Sequence, residues 1–329
     1  MSATSRIAVI GAGIAGLSCA TALQQAGCTV SVFDKSRGPG GRMSTRRGSD
    51  WQCDHGAQYF TARHPDFRSE VARWQAAGAA ALWTPRLQVL GGQAAHDPDA
   101  AHERFVGVPR MTAPARWLAE QLSVTCQATI LQLRQIADGW QLESAEHGWL
   151  APTFDVVILA VPAPQAVPLL KPVALALADL AASARMRGSW SLMLQFSQPV
   201  DLPFDAAFVN EGPLRWVARD SSKPGRKGPE TWLLHATATW SEAHLEADAA
   251  SVAKELLDAF AQLGGTAPDA WTAHRWRYAD TEPALDAAFA WDARLALGLC
   301  GDWLNGGKVE AAWLSGRDLA QQVLGAAPG

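Results

Sequence analysis

Four apolar residues in a row, Ile7 to Ile10, run into the turn Gly11-Ala12-Gly13-Ile14-Ala15-Gly16. A continuous apolar run predicts a strand buried on both faces, the setting of a parallel strand. Leu17, Ala20, Leu23 and Ala26 then recur at helical spacing, and Gly27 stands where a helix closes. The run TVSVF predicts a second strand that delivers Asp34. Phe67, Val71 and Trp74 predict a helix after Pro65, and AALWTPRLQVLGG reads as strand-rich. GVPRMTAPARWLAEQL reads as a loop entering a helix, with Thr112 as N-cap and Pro114 in the first turn. TILQLRQ, GWQLES and GWLAP predict a three-stranded meander. Val156 to Ala160 is another apolar strand, stopped by Pro162 and Pro164, that returns the chain to the parallel sheet.

From about Pro168 the pattern changes. SWSLMLQF, AAFVN, LRWVARD, TWLLHATATW and AWTAHRWRYA are strand-like and joined by polar turns such as SSKPGRKGPE. One helix, SEAHLEADAASVAKELLDAFAQLGG, is expected among them, capped by Ser241 and buried along Leu245, Ala249, Val252, Leu256 and Phe260. RLALGLCGD and KVEAAWLSGRDLAQQVL then predict a strand and a helix that rejoin the first layer. The fold class expected is α/β. A Rossmann-type domain of residues 1–75, 100–166 and 290–329 is interleaved with a smaller α+β domain of residues 76–99 and 167–289, built on a mostly antiparallel sheet.

Composition narrows the partners. The 329 residues carry a formal charge of −4 and no block of like charges, which argues against nucleic acid and anionic membrane as partners. No stretch reaches about 18 uninterrupted apolar residues, so neither a membrane span nor a signal peptide is expected. The five cysteines are scattered without a CxxC pair, which fits free thiols in a reducing, cytoplasmic setting and no metal site. The 15 tryptophans are expected mostly in packing.

The chemistry begins at the glycines. In the GxGxxG spacing Gly11 permits a tight turn, Gly13 lets a pyrophosphate approach the backbone, and Gly16 lets helix and strand pack closely. Asp34 then stands where a carboxylate accepts hydrogen bonds from a ribose diol. NAD and FAD both satisfy that pattern. In KSRGPGGRMSTRR the run Gly38-Pro39-Gly40-Gly41 breaks any helix and exposes N–H groups, and Arg42 adds a forked cation suited to a diphosphate or to a surface ion pair.

The fingerprint, the acid and GPGGRMSTRR together resemble the flavin-containing amine oxidase superfamily, and DHGAQYFT, residues 54–61, resembles the renalase family within it. CGDWLNGGKVEAAWLSG is similar to the second FAD motif of that family, so the resemblance runs from Ile7 to about Leu319. It implies a p-hydroxybenzoate-hydroxylase-like topology and non-covalent FAD, although Cys53 and His55 could in principle attach a flavin. The cofactor-binding set it implies is Gly11, Ala12, Gly13, Ile14, Ala15, Gly16, Asp34, Lys35, Gly41, Arg42, Met43, Gln58, Gly301, Asp302, Lys308 and Val309. Asp302 is expected on the ribityl chain, with Gly306 and Gly307 letting the next helix start close to the flavin; Lys308 either adds to its positive field or is a solvated lysine. Ala57, Gln58, Tyr59, Phe60 and Thr61 are expected to wall a substrate pocket, with core packing the alternative for Tyr59 and Phe60. His96 and Arg187 are candidates for anionic or amide parts of a substrate, or structural residues, and His55 either meets the flavin or fills a turn.

The renalase resemblance implies an oxidase of the 2- and 6-dihydro isomers of NAD(P), with O2 as acceptor and hydrogen peroxide as product. Hydride loss from either position restores an aromatic pyridinium, so no general base is required, and no acid–base pair stands out in the motifs. An amine or polyamine oxidase is the rival within the superfamily. A two-tyrosine cage would need both Tyr59 and Tyr278, with tryptophan as a substitute. A non-catalytic flavoprotein is the rival of another class. The sequence leaves the oligomeric state open.

Overall fold

The computed structural model describes residues 5–92 and 102–325. His96, a candidate substrate contact, lies outside the described residues. The first layer is a six-stranded sheet in the order Ala290–Asp292, Leu297–Leu299, Val156–Leu159, Arg6–Ile10, Thr29–Asp34, Ser123–Cys126. All its pairings are parallel except that of the edge strand Ala290–Asp292. Its central strands are apolar because both faces are covered: Ile7, Ala8, Val9 and Val156 to Leu159 have no exposed surface. The chain reverses direction of winding between Arg6–Ile10 and Val156–Leu159, and α/β sheets bind ligands at the carboxyl ends of such a switch point.

The two extremities of the chain meet on one face of this sheet. Helix Ile14–Gln25 packs on helix Val309–Gly325, where the Ser18 hydroxyl donates to the Trp313 carbonyl at 2.8 Å. Gly316 makes that crossing feasible, since a side chain there would overlap the Ala15 carbonyl. The first motif and the last are therefore held side by side.

The second layer is a six-stranded sheet in the order Ala270–Thr281, Met186–Phe196, Glu230–Ala236, Leu214–Arg219, Ala206–Val209, Leu87–Leu90. It is antiparallel except where Leu87–Leu90 joins its edge. The expected long helix is two: Ala238–Ala243 and Ala249–Gln262. Thr237 and Asp248 cap them; the first ends at Ala243, and the Asp248 carboxylate takes the N–H groups of Ala250 and Ser251 to start the second. Ser241 is no cap; it is buried and accepts the Trp190 N–H at 3.1 Å. Thr112 precedes helix Ala113–Ala119 but already has helical dihedral angles, so its hydroxyl does not cap. A domain boundary at residue 166 falls inside helix Ala163–Leu170, and that helix and Leu175–Ser183 bury their apolar faces with the parallel sheet. The change of layer comes at Met186, not at residue 167. Residues 76–99 also divide, because Ala80–Leu82 pairs with Phe105–Gly107 and only Leu87–Leu90 joins the second sheet.

Candidate functional site

Two clefts open at the carboxyl edge of the parallel sheet, of about 520 Å3 and about 1680 Å3. Gly13, Arg42, Ala160, Val161 and Trp276 line both, so one long ligand can lie across them. The glycine turn sets the floor. Gly11 has φ +112°, and a Cβ there would lie 2.5 Å from the Ala160 carbonyl oxygen. A Cβ on Gly16 would overlap the Gly11 carbonyl, whereas a Cβ on Gly13 would meet nothing within 4 Å. Open space thus stands over Gly13, the N-cap of a 12-residue helix that has no side-chain cap and no acid in its first turn. Such an end offers N–H donors and a positive dipole to an anion. Asp34 holds this turn: its two carboxylate oxygens accept the N–H groups of Ala12 at 2.6 Å and Ser36 at 2.7 Å, with lone pairs left over.

The structure brings most of the expected residues together. Ile14, Ala15, Met43, Ala57, Gln58 and Tyr59 line the smaller cleft, as do Gly301, Asp302, Lys308 and Val309. Gly11, Asp34, Lys35 and Gly41 line the larger. Ala12 and Gly16 lie beneath the floor and reach neither. Arg42 and Asp302, 260 residues apart, form a two-pronged ion pair with each other, and Arg42 also donates to the Ala279 carbonyl at 3.3 Å. Asp302 is turned into place by the loop behind it, whose Asn305 and Gly307 N–H groups both bond its carbonyl at 3.0 Å.

Four more of the named residues lie away from both clefts. Phe60 is 3% exposed and packs against Phe67, Trp74 and Phe105, so it belongs to the core. Thr61, beyond it, lines neither cleft. Arg187 lines neither cleft, and its guanidinium is engaged by Glu242, Glu282 and Thr239 instead. Cys53 is fully buried beside Met193 and Leu233 and also lines neither cleft, out of reach of a flavin linkage.

The second sheet supplies what the motifs missed. Trp216, Phe208, Trp276, His235, Arg215 and Asp280 line the smaller cleft. Tyr59 leans on Trp216 at 5.5 Å between ring centres, and Trp216 on Phe208 at 4.8 Å. Tyr278 lines only the larger cleft, so the aromatic partner of Tyr59 is a tryptophan. The His55 carbonyl collects three donors, from Ser191, His235 and Trp276 at 2.8, 3.2 and 2.8 Å, which pins the DHGAQYFT segment to the second sheet.

Behind Gln58 lies a buried ionic cluster. The Lys223 ammonium donates to Asp220 at 2.7 Å, Asp54 at 3.1 Å and the Gln58 side-chain oxygen at 3.2 Å. Arg226 pairs with Asp54 as well, and the Thr45 hydroxyl and Met111 N–H satisfy the other Asp54 oxygen. Burial alone would raise the Asp54 pKa, but Lys223 and Arg226 overcome it and hold the carboxyl below its usual range. Asp220 is pushed up, first by burial and then by the Asp54 charge. The Gln58 amide donates to the Asp54 and Gly56 carbonyls, so the cluster fixes the wall of the cleft.

Three histidines nearby are kept neutral. Burial first, then His274, takes the His55 pKa down to about 3; burial, then Arg215, takes His235 to about 3; burial, then Arg46, takes His274 to about 4. Below pH 6.5 the unfolded chain takes up protons at these rings and the folded chain does not. Stability is therefore whole above about pH 6.5 and falls as the pH drops toward 4, by roughly 1.4 kcal/mol per pH unit for each well-buried ring. Asp220 works the other way with one proton against three. Urea midpoints at pH 7 and pH 5 check this; a midpoint unchanged or higher at pH 5 contradicts it.

A nucleotide cradle at a sheet switch point, closed by a second, antiparallel sheet, defines the chain as a dinucleotide-binding α/β protein of the flavoprotein kind. It belongs to the flavin containing amine oxidoreductase family, whose description matches residues 73–324, while an NAD(P)-binding Rossmann-like domain matches residues 9–74. Members of this family are FAD-dependent oxidoreductases. An L-amino-acid oxidase of Crotalus adamanteus is 36% identical over 69 residues, 21% of this chain and 13% of that protein. The tRNA 5-methylaminomethyl-2-thiouridine biosynthesis bifunctional protein of Magnetococcus marinus is 30% identical over 217 residues, 51% of this chain and 31% of that protein. The chain thus spans well under two thirds of these curated relatives. Among solved structures, putrescine oxidase bound to putrescine superimposes with a TM-score of 0.75 at 13% identity, covering 98% of this chain and 99% of that one. Cyclohexylamine oxidase from Brevibacterium oxydans gives 0.74 at 13%, covering 97% and 98%. At such identities the likeness is one of fold. FAD is the family's cofactor, and the residues present fit it: the uncapped helix end and the empty space over Gly13 suit a diphosphate, and the joined clefts suit its length.

Proposed function

We propose that the protein oxidises the 2- and 6-dihydro isomers of NAD(P) to NAD(P)+, the reaction implied by the renalase-like DHGAQYFT segment. The single observation that carries this reading is an aromatic-walled cleft whose acids and histidine already have partners. Of the acids and histidines lining the smaller cleft among the described residues, Asp302 is forked onto Arg42, His235 is held neutral against the His55 carbonyl, and Asp280 sits half-exposed near Arg215. Such a site suits a donor that becomes aromatic when hydride leaves it and that asks only to be aimed. In this reading the parallel-sheet layer holds the cofactor and the antiparallel sheet walls the substrate.

FAD, when bound, supplies the two-electron acceptor that passes its electrons to O2 as hydrogen peroxide. The chain's part is to hold and to aim. The helix end at Gly13 to Ala15 and Arg42 face the diphosphate, Asp34 the ribose, and Asp302 the ribityl chain. The start of helix Val309–Gly325, with Lys308, lends positive potential. Tyr59 and Trp216 together form one wall for the nicotinamide ring, and Gln58, braced by Lys223, fixes its edge.

A second reading has its own observation. Asp280, which lines the same cleft as Tyr59 and Trp216, could receive an ammonium group, and putrescine oxidase and cyclohexylamine oxidase share the fold. Anaerobic mixing of the holoprotein with each donor separates the two. Rapid bleaching of the flavin by 2- or 6-dihydro-NAD(P), with slow bleaching by the 4-dihydro form and none by putrescine, is expected. Bleaching by amines alone would replace the reading with amine oxidation, and no bleaching by any donor would leave a non-catalytic flavoprotein.

A further inference from the structure

The larger cleft carries more positive charge than one cofactor diphosphate uses. Ten lysines and arginines line it against two carboxylates, Asp34 and Asp50. Lys35, Arg37 and Arg42 lie beside the ribose acid and the glycine turn, within the cofactor's own territory. A separate group comes from three segments that converge further along. Strands Thr45–Arg47 and Gln52–Asp54 form a hairpin carrying Arg46 and Arg47. Arg110 is tied to it by a 2.7 Å bond to Gln52, whose amide in turn donates to the Pro109 carbonyl at 3.1 Å. The loop bearing Lys227 is pressed onto the hairpin tip, since a Cβ on Gly228 would lie 2.7 Å from the Asp50 carbonyl.

These cations crowd one another. After burial, the neighbouring charges of Arg47, Arg116 and Arg226 lower the Arg110 pKa. Arg47 and Lys227 have no ion-pair partner among the described residues. Arg46 donates to His274 at 3.2 Å and keeps a buried Nε without a partner. His55, 5% exposed, lines the same cleft with its Nδ1 unpartnered. The group connects to the reaction chamber through rings: His274 lies 4.4 Å from Trp276, and Trp276 lines both clefts. Like charges gathered without counter-ions, next to buried donors left open, are the makings of an anion site.

We propose that Arg46, Arg47, Arg110 and Lys227 form a second anion subsite, distinct from the cofactor cradle, that holds the phosphates of a dinucleotide substrate. This rests on the dihydronicotinamide reading and adds how the non-reacting half of the substrate is recognised. Binding energy from that half would position the ring, and a cationic polyamine would be repelled.

The test is titration of the flavin-loaded protein with ADP-ribose, followed by calorimetry and by the flavin absorbance. ADP-ribose should bind, adenosine should not, and added salt should weaken the complex. Arg47→Glu and Lys227→Glu should each raise the ADP-ribose Kd about tenfold or more while flavin content stays at the wild-type level. Failure of ADP-ribose to bind, or unchanged Kd in both variants, overturns the subsite. Phosphate-free dihydronicotinamide ribosides keep the two readings apart. If they bleach the flavin while ADP-ribose does not bind, the subsite falls and the activity stands. If ADP-ribose binds and no dihydronicotinamide bleaches the flavin, the subsite stands and the activity falls.

Discussion

Lys223→Met is expected to destabilise the protein by about 3–5 kcal/mol, because it leaves two carboxylates buried with a single cation. Asp54, Asp220 and Lys223 have no exposed side-chain surface, so water cannot replace the lost ammonium. For a chain of this size the melting temperature should fall by roughly 4–7 °C. The loss comes from the stranded charges and not from missing packing, since methionine nearly matches the lysine stem. Removing one of them tests this: Lys223→Met combined with Asp220→Asn should recover much of the stability, a non-additive result expected of groups in direct contact. The Gln58 oxygen also loses its donor, so the double variant should stay folded yet bind substrate less well. Thermal melts of the two proteins are the check, and a single variant as stable as wild type would contradict the cluster's role.

The second large effect concerns the cradle. Gly13→Ala should spare the apoprotein and lower FAD affinity by two orders of magnitude or more, about 2.7 kcal/mol. The backbone at Gly13 has φ −75°, which any residue adopts, and its Cβ would meet no protein atom within 4 Å. The new methyl group therefore stands where the diphosphate must approach. Gly16→Ala serves as contrast, because its Cβ would collide with the Gly11 carbonyl and force strand and helix apart. That variant should lose apoprotein stability as well as flavin. Equal FAD affinity in Gly13→Ala and wild type would show that the space over this turn is not where the cofactor lies.

How much of this was legible in the sequence depends on how local the cause was. The strands at Arg6–Ile10 and Val156–Leu159 announced themselves because double-sided burial demands unbroken apolar runs. The glycine turn was legible because each glycine answers a separate steric demand, and Asp302 because it directly follows a buried strand. Lys223 and Arg226 were hidden: SSKPGRKGPE has the composition of a solvated turn, and only its docking under the hairpin buries the two cations. Trp216, His235, Trp276 and Asp280 were equally silent. Each sits on an antiparallel strand where alternation says which residues share a face but not what that face meets. DHGAQYFT mixes both kinds: Ala57 to Tyr59 turn to the cleft, while Phe60 turns back into the core two residues into an extended stretch. The expected long helix breaks after Ala243, and Asp248, read as part of that helix, is instead the N-cap at which the second helix starts.

The central claim is that the chain's two ends clamp an FAD along the joined clefts, without a covalent bond. Titrating flavin-free protein with FAD and following flavin fluorescence tests it most directly. Saturable uptake is expected, with quenching that reverses fully when the protein is denatured and the flavin is released intact. Protein that takes up no FAD, or flavin that stays attached after denaturation, would contradict the account.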